Sequence, residues 1–438
     1  MSKVKRRIQQ YLHFGYLPDP ESALSLTGQG KPGRNNGIAG LPEKELIRLG
    51  AVKLKKAFAD TIAEIETPVQ HLVPLSGGLD SRAILAFLQE HTQSSNITAI
   101  VFGVPGTYDF IIGQQTAVAA GVRCLRVNLD EIVWNQDELI ACAAGVGRPL
   151  PLFETFLFSR MTKFFTSSSS CWSGFMGDPL SGSHLPVKES KSWGEALLKF
   201  CDRERFAASI KLNPAEFRPE ALLPEKPWLD PGFLTLDEQL DFNLRQLDYI
   251  KPLVLFGCDD TKTPFLHPDW VNFILGVPNR YRHRQELYKK ILLEVYPRLF
   301  ALPTKTNFGL PLQVPGWRLK TRKAALRLRA MARRFLPDQP ENISPMINYI
   351  DFNAALRRRE DLKRVVYENI MDLKHRRIVD WVDIDNLWHQ HQKGQGNYAD
   401  ALTLLASLEI LLKVKKDTLF SAKQFPADEI LSPCKRRA

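Results

Sequence analysis

The chain has 438 residues, of which 44% are hydrophobic, and its formal net charge is +11; these values are typical of a globular protein with a sizeable core. No stretch approaches the ~20 consecutive apolar residues of a membrane-spanning helix, the basic N-terminus leads into no apolar signal core, and the six cysteines form no Cys-x-x-Cys pair. We therefore expect a cytoplasmic protein without membrane contact, zinc ribbon, redox dithiol or disulfide framework.

The first half of the chain predicts alternating strands and helices. Residues 20–45 are rich in Gly, Pro, Asn and Ser, which is typical of an irregular connector. Hydrophobic periodicity then predicts helices over residues 43–64, 82–89, 110–120 and 154–165, and strands over residues 71–75, 97–102 and 122–129. This alternation indicates an α/β fold, and we expect a parallel sheet with helices on both faces over residues 65–180.

Helical patterns dominate from residue 234 onward, over residues 234–255, 285–296, 320–335, 354–372 and 397–412. The chain is therefore divided into three parts. Residues 1–64 form a linker-like stretch and a helix. Residues 65–420 form one α/β domain with its sheet core at 65–180 and a helical remainder at 234–413, and residues 421–438 form a basic tail.

Basic residues are concentrated after residue 317, in segments such as WRLKTRKAALRLRAMARRF. Such clusters are typical of a nucleic-acid or acidic-polymer surface. They also occur on the solvated faces of amphipathic helices, and here apolar residues interleave with the charges at helical spacing. We favour the second interpretation and expect no nucleic-acid partner.

The segment Leu75-Ser76-Gly77-Gly78-Leu79-Asp80-Ser81 indicates a phosphate-binding loop. It connects an apolar strand to a helix through two glycines, so main-chain N–H groups and the helix N-terminus face the same point. Asp80 would lie among phosphate oxygens, which requires a bridging cation, and a carboxylate shared with phosphates is a usual way to bind Mg²⁺. The alternative is a plain helix N-cap with a tight turn, which the complete string disfavours.

This string resembles the Ser-Gly-Gly-x-Asp-Ser signature of the PP-loop ATP pyrophosphatases. Later segments, in order and approximate spacing, resemble the synthetase domain of asparagine synthetases; they are Val101–Gly106, Ser173–Asp178, Thr263–Leu266 and Leu302–Pro311. The likeness covers residues 65–320 and continues more weakly to about residue 413. It implies a Rossmann-like parallel sheet of the PP-loop ATP pyrophosphatase fold, with ATP and Mg²⁺ as its cofactors.

The resemblance also implies a role for each matching residue. Pyrophosphate and ATP would be bound by Leu75, Ser76, Gly77, Gly78, Asp80 and Ser81. The adenine would lie at Val101 and Phe102, the ribose and reacting groups at Ser173 and Gly174, and magnesium between Asp80 and Asp178. Lys305 would neutralise charge on the α-phosphate, where a fixed cation favours the transition state, and Lys289 would assist; the alternative is a pair of ordinary surface lysines.

Three positions near the second motif depart from the family pattern. Phe175 replaces the family's Glu, which is suited to taking a proton from the incoming amine, so asparagine itself is a doubtful product. Met176 and Pro179 replace a glycine and a second acid, and His184 is a replacement candidate only by its proximity in sequence. Arg82, directly after the loop, either meets an anionic substrate or faces solvent.

The N-terminus also departs from the glutamine-dependent members, which begin with a nucleophilic cysteine and a glutaminase domain. Here Ser2 follows Met1, and the loop already begins at Ser76. We expect no glutaminase activity, so the amine would be free ammonia, ammonia from a separate glutaminase, or another amine.

Two further groups of residues have alternative interpretations. His389-x-His391 has a spacing that suits a metal, but its polar surroundings predict a solvated helix end. Asp259-Asp260 and Asp383-x-Asp385 are acid pairs, which we interpret as helix caps and exposed turns because Asp prefers these positions.

The leading hypothesis is an ATP-dependent, AMP-forming amide ligase. It would adenylate the carboxylate of a small molecule or peptide, release pyrophosphate, and pass the acyl group to ammonia or another amine. One alternative is a tRNA-modifying PP-loop ligase. The basic C-terminal region favours it, but the sequence contains no cysteine pair for sulfur transfer. The other is a non-catalytic nucleotide-binding protein, suggested by Phe175 and the missing glutaminase segment.

Overall fold

The computed structural model of the chain describes residues 3–21, 23, 36–65, 70–166, 168–255, 257, 261–333 and 344–415. Five parallel strands form one sheet in the order β3-β2-β1-β4-β5. The strands are β1 (Gln70–Pro74), β2 (Ile97–Gly103), β3 (Arg123–Asn128), β4 (Ser169–Trp172) and β5 (Thr261–Lys262). The α/β class and the parallel sheet predicted from the sequence are therefore confirmed.

Helices precede, connect and follow the strands. In the first half they are α1 (Lys3–Phe14), α2 (Asn36–Ala39), α3 (Glu43–Ala63), α4 (Asp80–His91), α5 (Tyr108–Ala120), α6 (Gln136–Val146), α7 (Leu152–Ser159), α8 (Gly177–Leu180) and α9 (Trp193–Arg203). Short 3₁₀ turns lie at Ser94–Asn96, Leu129–Glu131, Thr162–Phe164, Pro219–Leu222, Pro264–Leu266 and His283–Gln285.

The second half is mainly helical. Its helices are α10 (Leu236–Leu240), α11 (Lys251–Val254), α12 (Pro268–Gly276), α13 (Asn279–Arg282), α14 (Glu286–Val295), α15 (Pro297–Phe300), α16 (Gly316–Arg333), α17 (Phe352–Arg358), α18 (Glu360–Arg376), α19 (Ile384–Gln392) and α20 (Ala399–Lys415). Between α10 and α11 the chain forms a π-helical segment, Asp241–Ile250. In the described part of the chain, none of the helices is long and apolar enough to cross a membrane.

The sheet is covered by helices on both faces, as predicted. Successive strand residues enter different apolar clusters, because side chains alternate across a strand. In β1, Leu72 belongs to the cluster that includes α1, α6, α7, α18 and α20, and Val73 belongs to the cluster that includes α3, α4, α12 and α14. In β2, Ile100 belongs to the same cluster as Leu72, and Val101 belongs to the same cluster as Val73. Burial on both faces is what a parallel sheet requires.

Several predicted elements differ from the structure. The helix predicted at 154–165 ends at Ser159 and continues as a 3₁₀ turn. The helix predicted at 354–372 is divided at Arg359, whose main chain is extended (φ −94°, ψ 111°). Residues 3–14, predicted as a linker, form helix α1, which buries Ile8, Tyr11 and Phe14 in the core. Residues 22 and 24–35 of the connector predicted at 20–45, the pair Asp259-Asp260 and the tail at 421–438 lie outside the described residues. The last part of that connector is not irregular, because it contains α2 and the start of α3.

The two histidines of the His-x-His motif do not share a site. His389 is exposed at the end of α19, as predicted, but His391 is fully buried, so that part of the prediction is wrong. The main-chain N–H of Tyr398 donates to His391 Nδ1 at 3.1 Å. Burial, helped by the charge of Arg357, lowers the pKa of His391 from 6.5 to about 4. Asp383 caps α19, as predicted, by accepting from the N–H of Asn386 at 3.1 Å.

His391 should make the stability of the fold sensitive to acid. Since its folded pKa is about 4 and its ordinary pKa is 6.5, the unfolded chain takes up the proton first, and stability falls as the pH drops from about 6.5 to about 4. The loss is about 3 kcal/mol at most, at ~1.4 kcal/mol per unit of pKa. Urea unfolding at several pH values should show a flatter profile for His391→Asn, whose amide oxygen can still accept from Tyr398. An identical slope in both proteins would contradict the assignment.

Candidate functional site

The strand order reverses between β1 and β4. From β1 the chain moves outward through β2 and β3, and β4 then returns to the other side of β1. In open parallel sheets, ligands bind at the carboxyl ends of the strands at such a reversal. The turn that follows β1 contains Ser76–Ser81, and the turn that follows β4 contains Ser173–Gly177. The two motifs singled out in the sequence therefore meet at this point.

The Ser76–Ser81 loop is held by its own hydroxyl groups. The N–H of Ser76 donates to Ser81 Oγ and the N–H of Gly78 donates to Ser76 Oγ, both at 3.2 Å. The N–H of Gly77 donates to Asp109 Oδ1 at 3.1 Å. Helix α4 begins at Asp80, and its N-cap residue, Leu79, has an apolar side chain that accepts no hydrogen bond. The first-turn N–H groups of α4 are thus available to an anion, which disfavours the plain helix-cap alternative.

Two carboxylates face each other beside this loop. Asp80 Oδ1 accepts from the Tyr288 hydroxyl at 2.8 Å, and Asp178 Oδ1 accepts from Gln285 Nε2 at 2.7 Å. Burial raises the pKa of Asp80 well above its usual range and the charge of Asp178 raises it further, although hydrogen bonds from Tyr288 and from the Asp178 main chain oppose the shift. Among the described residues, no lysine or arginine forms an ion pair with either carboxylate. Two acids supported only by neutral donors form a donor set suited to a divalent cation.

Asp80 is packed directly against the turn after β4. A Cβ atom added to Gly177 would lie 2.4 Å from Asp80 Cγ, and one added to Gly174 would lie 2.8 Å from Asp80 Cβ. Between them, Met176 adopts a left-handed conformation (φ 67°), which is uncommon for a residue with a side chain. Any side chain at these two glycines would push the carboxylate out of its position.

A cavity of about 360 Å³ opens in front of the two acids. This volume lies within the range of small-molecule sites. The predicted residues that line it are Ser76, Gly78, Asp80, Ser81, Phe102, Ser173, Gly174 and Asp178. Leu75, Gly77 and Val101 are buried behind this wall. Phe175, Pro179 and His184 also line it, and the π-helical segment contributes Arg245 and Gln246.

The structure places the two predicted lysines differently. Lys305 lies against the loop: its N–H donates to the main-chain oxygen of Gly77 at 2.8 Å, and its ammonium group bonds Asp109 and Asn348. Lys289 pairs with Glu286 at 3.1 Å, and neither lysine is among the residues that line the cavity. Both catalytic assignments stay predictions, but only Lys305 adjoins the loop.

Sequence reasoning missed three side chains of the site. Gln285 and Tyr288 hold the two acids, and Asp109 links the loop to Lys305. Gln285 is the left-handed N-cap residue of α14, and Tyr288 lies in the first turn of that helix. No local pattern identifies them, because their partners lie more than a hundred residues away in the chain.

Both interpretations of Arg82 are wrong. Its side chain is fully buried, and its guanidinium donates to the main-chain oxygens of Leu299, Leu302 and Pro303, at 3.2, 3.3 and 2.6 Å. Burial lowers its pKa to about 10. Arg82 therefore meets neither solvent nor substrate. It attaches the chain that leads into Lys305 to the helix that begins at Asp80.

A second buried arginine supports the turn after β4. Arg282 donates to the main-chain oxygen of Leu180 at 2.8 Å and pairs with Glu238 at 2.6 Å. Leu180 ends α8, the helix that contains Asp178. Gly182 has a left-handed φ of 94°, and a Cβ there would lie 2.4 Å from the Arg282 main-chain oxygen. Arg282 therefore fixes the position of α8 and, with it, that of Asp178.

No protein-family model matches this chain, and no curated protein sequence matches it. The chemistry of the site is therefore argued from its geometry. The structure brings together a helix N-terminus without a side-chain cap, two acids that form no ion pair with a lysine or arginine of the described residues, and a cavity with polar and apolar walls. Such an arrangement is able to bind a phosphorylated ligand together with a divalent cation.

Replacing Gly177 with alanine should displace Asp80. The added Cβ would lie 2.4 Å from a side-chain carbon that is itself confined, so we expect overpacking to lower the free energy of unfolding by about 1–3 kcal/mol. Gly194→Ala is the matched control, because its Cβ would meet no atom within 4 Å, and we expect it to be neutral or to stabilise α9 by up to about 1 kcal/mol. Urea unfolding measures both changes. Equal effects would show that Asp80 is not confined by Gly177.

Proposed function

We propose that this chain is an ATP-dependent amide-forming ligase of the PP-loop ATP pyrophosphatase class, similar to the synthetase domain of asparagine synthetases. It binds ATP·Mg²⁺ between the turns after β1 and β4 and transfers AMP to a carboxylate, and an amine then displaces the AMP. The observation that supports this most strongly is the placement of Asp80 and Asp178 together at the free N-terminus of α4. The substrates are a small-molecule or peptide carboxylate and ammonia or another amine.

The phosphate groups are assigned to the Ser76–Ser81 loop. Its two serine hydroxyls can rotate to donate hydrogen bonds, and the first turn of α4 offers N–H groups and the partial positive charge of the helix. The left-handed Met176 stands where the resembled family has glycine, a residue that adopts this conformation without strain. That agreement in backbone conformation supports the resemblance at a position where the residue type differs.

The two acids fit a magnesium ion. Asp80 and Asp178 are the residues that would hold it. Burial raises the pKa of Asp80, and the charge of Asp178 raises it further. When bound, the ion would neutralise the charge of the β- and γ-phosphates and make pyrophosphate a better leaving group. Tyr288 and Gln285 keep the carboxylates oriented for this purpose.

The first chemical step is a transfer at the α-phosphorus. A carboxylate oxygen of the substrate attacks this atom, a new P–O bond forms, and the bond to pyrophosphate breaks with its electron pair. Lys305 adjoins the loop through Gly77 and is the nearest predicted cation for the charge that develops. Its ammonium group rests on Asp109 and Asn348, so we propose that it turns from these partners to the α-phosphate when ATP binds.

Asp80→Asn should abolish nucleotide turnover without unfolding the protein. The amide keeps the size of the side chain and an oxygen that accepts from Tyr288, but it removes a charge needed for the metal. We would measure AMP and pyrophosphate release from ATP·Mg²⁺ with pooled carboxylates and ammonia. Asp372→Asn is the control, because Asp372 forms an exposed ion pair with Lys413 and such pairs contribute little. Release that depends on one pool and on Asp80 supports the ligase, and unchanged release by Asp80→Asn rejects it.

ATP that binds but is not split by the wild-type protein would favour the non-catalytic alternative. The buried, apolar Phe175 is the observation behind that alternative, because it cannot act as an acid or base. Equilibrium dialysis with ATP·Mg²⁺ separates binding from turnover. Binding without AMP release across all pools would move the assignment to a nucleotide-binding role.

Lys305→Ala and Lys289→Ala should differ strongly. Removing a cation that stabilises charge on the α-phosphate typically costs ~10²–10³ in rate, so we expect a loss of this order in AMP formation for Lys305→Ala. Lys289 pairs with Glu286 on one helix, whereas the main chain of Lys305 bonds Gly77 of the loop, so we expect less than about a twofold change for the Lys289 variant. Comparable losses in the two variants would show that the lysine assignment made from the resemblance is wrong.

A further inference from the structure

The lining of the cavity includes a histidine that is paired with a buried acid. His184 Nδ1 lies 2.8 Å from Asp241 Oδ2. Asp241 has 3% of its side chain exposed, whereas His184 has 32% exposed and lines the cavity. Within the described part of the chain, Nε2 of His184 has no hydrogen-bond partner. The ring therefore offers one nitrogen to the acid and the other to a ligand in the cavity.

The acid is held by a distorted helix. Asp241 begins the π-helical segment, a rare conformation that is frequent at functional sites. Gln246, five residues later, donates from Nε2 to Asp241 Oδ2 at 3.4 Å. Arg203 and Arg245 lie 3.8 and 3.9 Å from Asp241 Oδ1, and Arg245 also pairs with Glu204 at 3.0 Å. These groups keep Asp241 ionised and fixed in its position beneath the imidazole.

The charges that face His184 act in opposite directions. Burial lowers its pKa and Arg245 lowers it as well, while Asp241 and, more weakly, Asp178 raise it, and the balance raises the pKa above its ordinary value of 6.5. Burial also acts against ionisation of Asp241, but His184, Arg245 and Arg203 outweigh it and leave the pKa of this acid lowered. Asp241 is therefore held as a carboxylate, and His184 is more basic than an ordinary histidine. A general base works best when its pKa lies near the operating pH.

The proposed ligase needs a proton acceptor that the resembled motif does not provide. When an amine attacks an acyl-adenylate, its nitrogen must lose a proton, and Phe175 in the turn after β4 cannot accept one. Phe175 and His184 line the same cavity. We propose that His184, oriented by Asp241, is the base that accepts the proton of the attacking amine through Nε2. This inference rests on the proposed function and adds a catalytic residue to it.

The step is balanced as follows. The nitrogen lone pair of the amine forms a bond to the acyl carbon, and the bond from that carbon to the oxygen of AMP breaks with its electron pair. The proton leaves the nitrogen for His184 Nε2 and passes later to solvent. Asp241 accepts the hydrogen bond from Nδ1–H, so that proton stays on the imidazole, and the carboxylate stabilises the imidazolium that forms. Asp241 is therefore a positioning residue.

The test separates the two half-reactions. Carboxylate-dependent ATP–pyrophosphate exchange needs no amine, whereas amide formation from ammonia needs the proton acceptor. For His184→Gln we expect exchange to persist and the ammonia-dependent rate to fall by about 10²–10⁴-fold, the usual contribution of general base catalysis. Hydroxylamine should restore product formation, because it is a weaker base and loses its proton to water more readily. His389→Gln, a change at an exposed histidine, is the control and should leave both reactions unchanged.

Asp241→Asn provides a readout that a structural role would not produce. Without the carboxylate the pKa of His184 should fall, so the acidic limb of the ammonia-dependent rate should move to lower pH. Retention of the ammonia-dependent rate in His184→Gln would overturn the proposal. An equal loss of exchange and amide formation would also overturn it, because it would indicate a structural role. Absence of exchange in the wild-type protein with every carboxylate pool would instead reject the ligase, and this role with it.

Discussion

The site depends on the parallel pairing of β1 with β4. Gln70 pairs with Ser169 and Leu72 with Cys171, so the two strands end side by side. Each strand ends in a glycine-containing turn, and Asp80 from the first packs against Gly177 of the second with no space for another atom. The register of these two strands therefore decides that both carboxylates face one cavity. A slip of one residue would exchange the faces of the strand and separate them.

Two buried arginines connect the turns after β1 and β4 to the helical half of the chain. Arg82 and Arg282 both bond main-chain oxygens, and burying a guanidinium group is costly unless its donors are satisfied. Each arginine therefore selects one arrangement of the segment it bonds. Arg82 fixes the approach to Lys305, and Arg282 fixes the end of the helix that holds Asp178. The geometry of the site therefore depends on segments of the helical half of the chain as well as on the sheet.

Local patterns predicted what local forces determine. The helix at Glu43–Ala63 and the strand at Ile97–Gly103 agree with the predicted spans within one residue at each end, because one apolar stripe or one buried run determines each. The two-residue strand β5 was missed because it is too short to leave a periodic pattern. The π-helical segment falls within the helix predicted at 234–255, but its π geometry was not predicted. Arg82 was misread because a helical position does not reveal which distant segment packs over it. The loop and its two acids were recognised because their residues form contiguous strings.

The charges of the cavity give a physical reason why a histidine suits this site better than a third carboxylate. Asp80 is already difficult to ionise, because burial and the charge of Asp178 both raise its pKa. A glutamate at position 175, in the turn that packs on Asp80, would add a further negative charge to this end and raise that pKa again. Phe175 avoids this repulsion, and the proposed base, His184, adds no negative charge to the cavity. In the proposed magnesium site a cation would compete with a proton for Asp80, so metal binding and deprotonation of this acid would be coupled. The burial that raises the pKa of Asp80 would therefore make the proposed binding of ATP·Mg²⁺ stronger at neutral than at acidic pH.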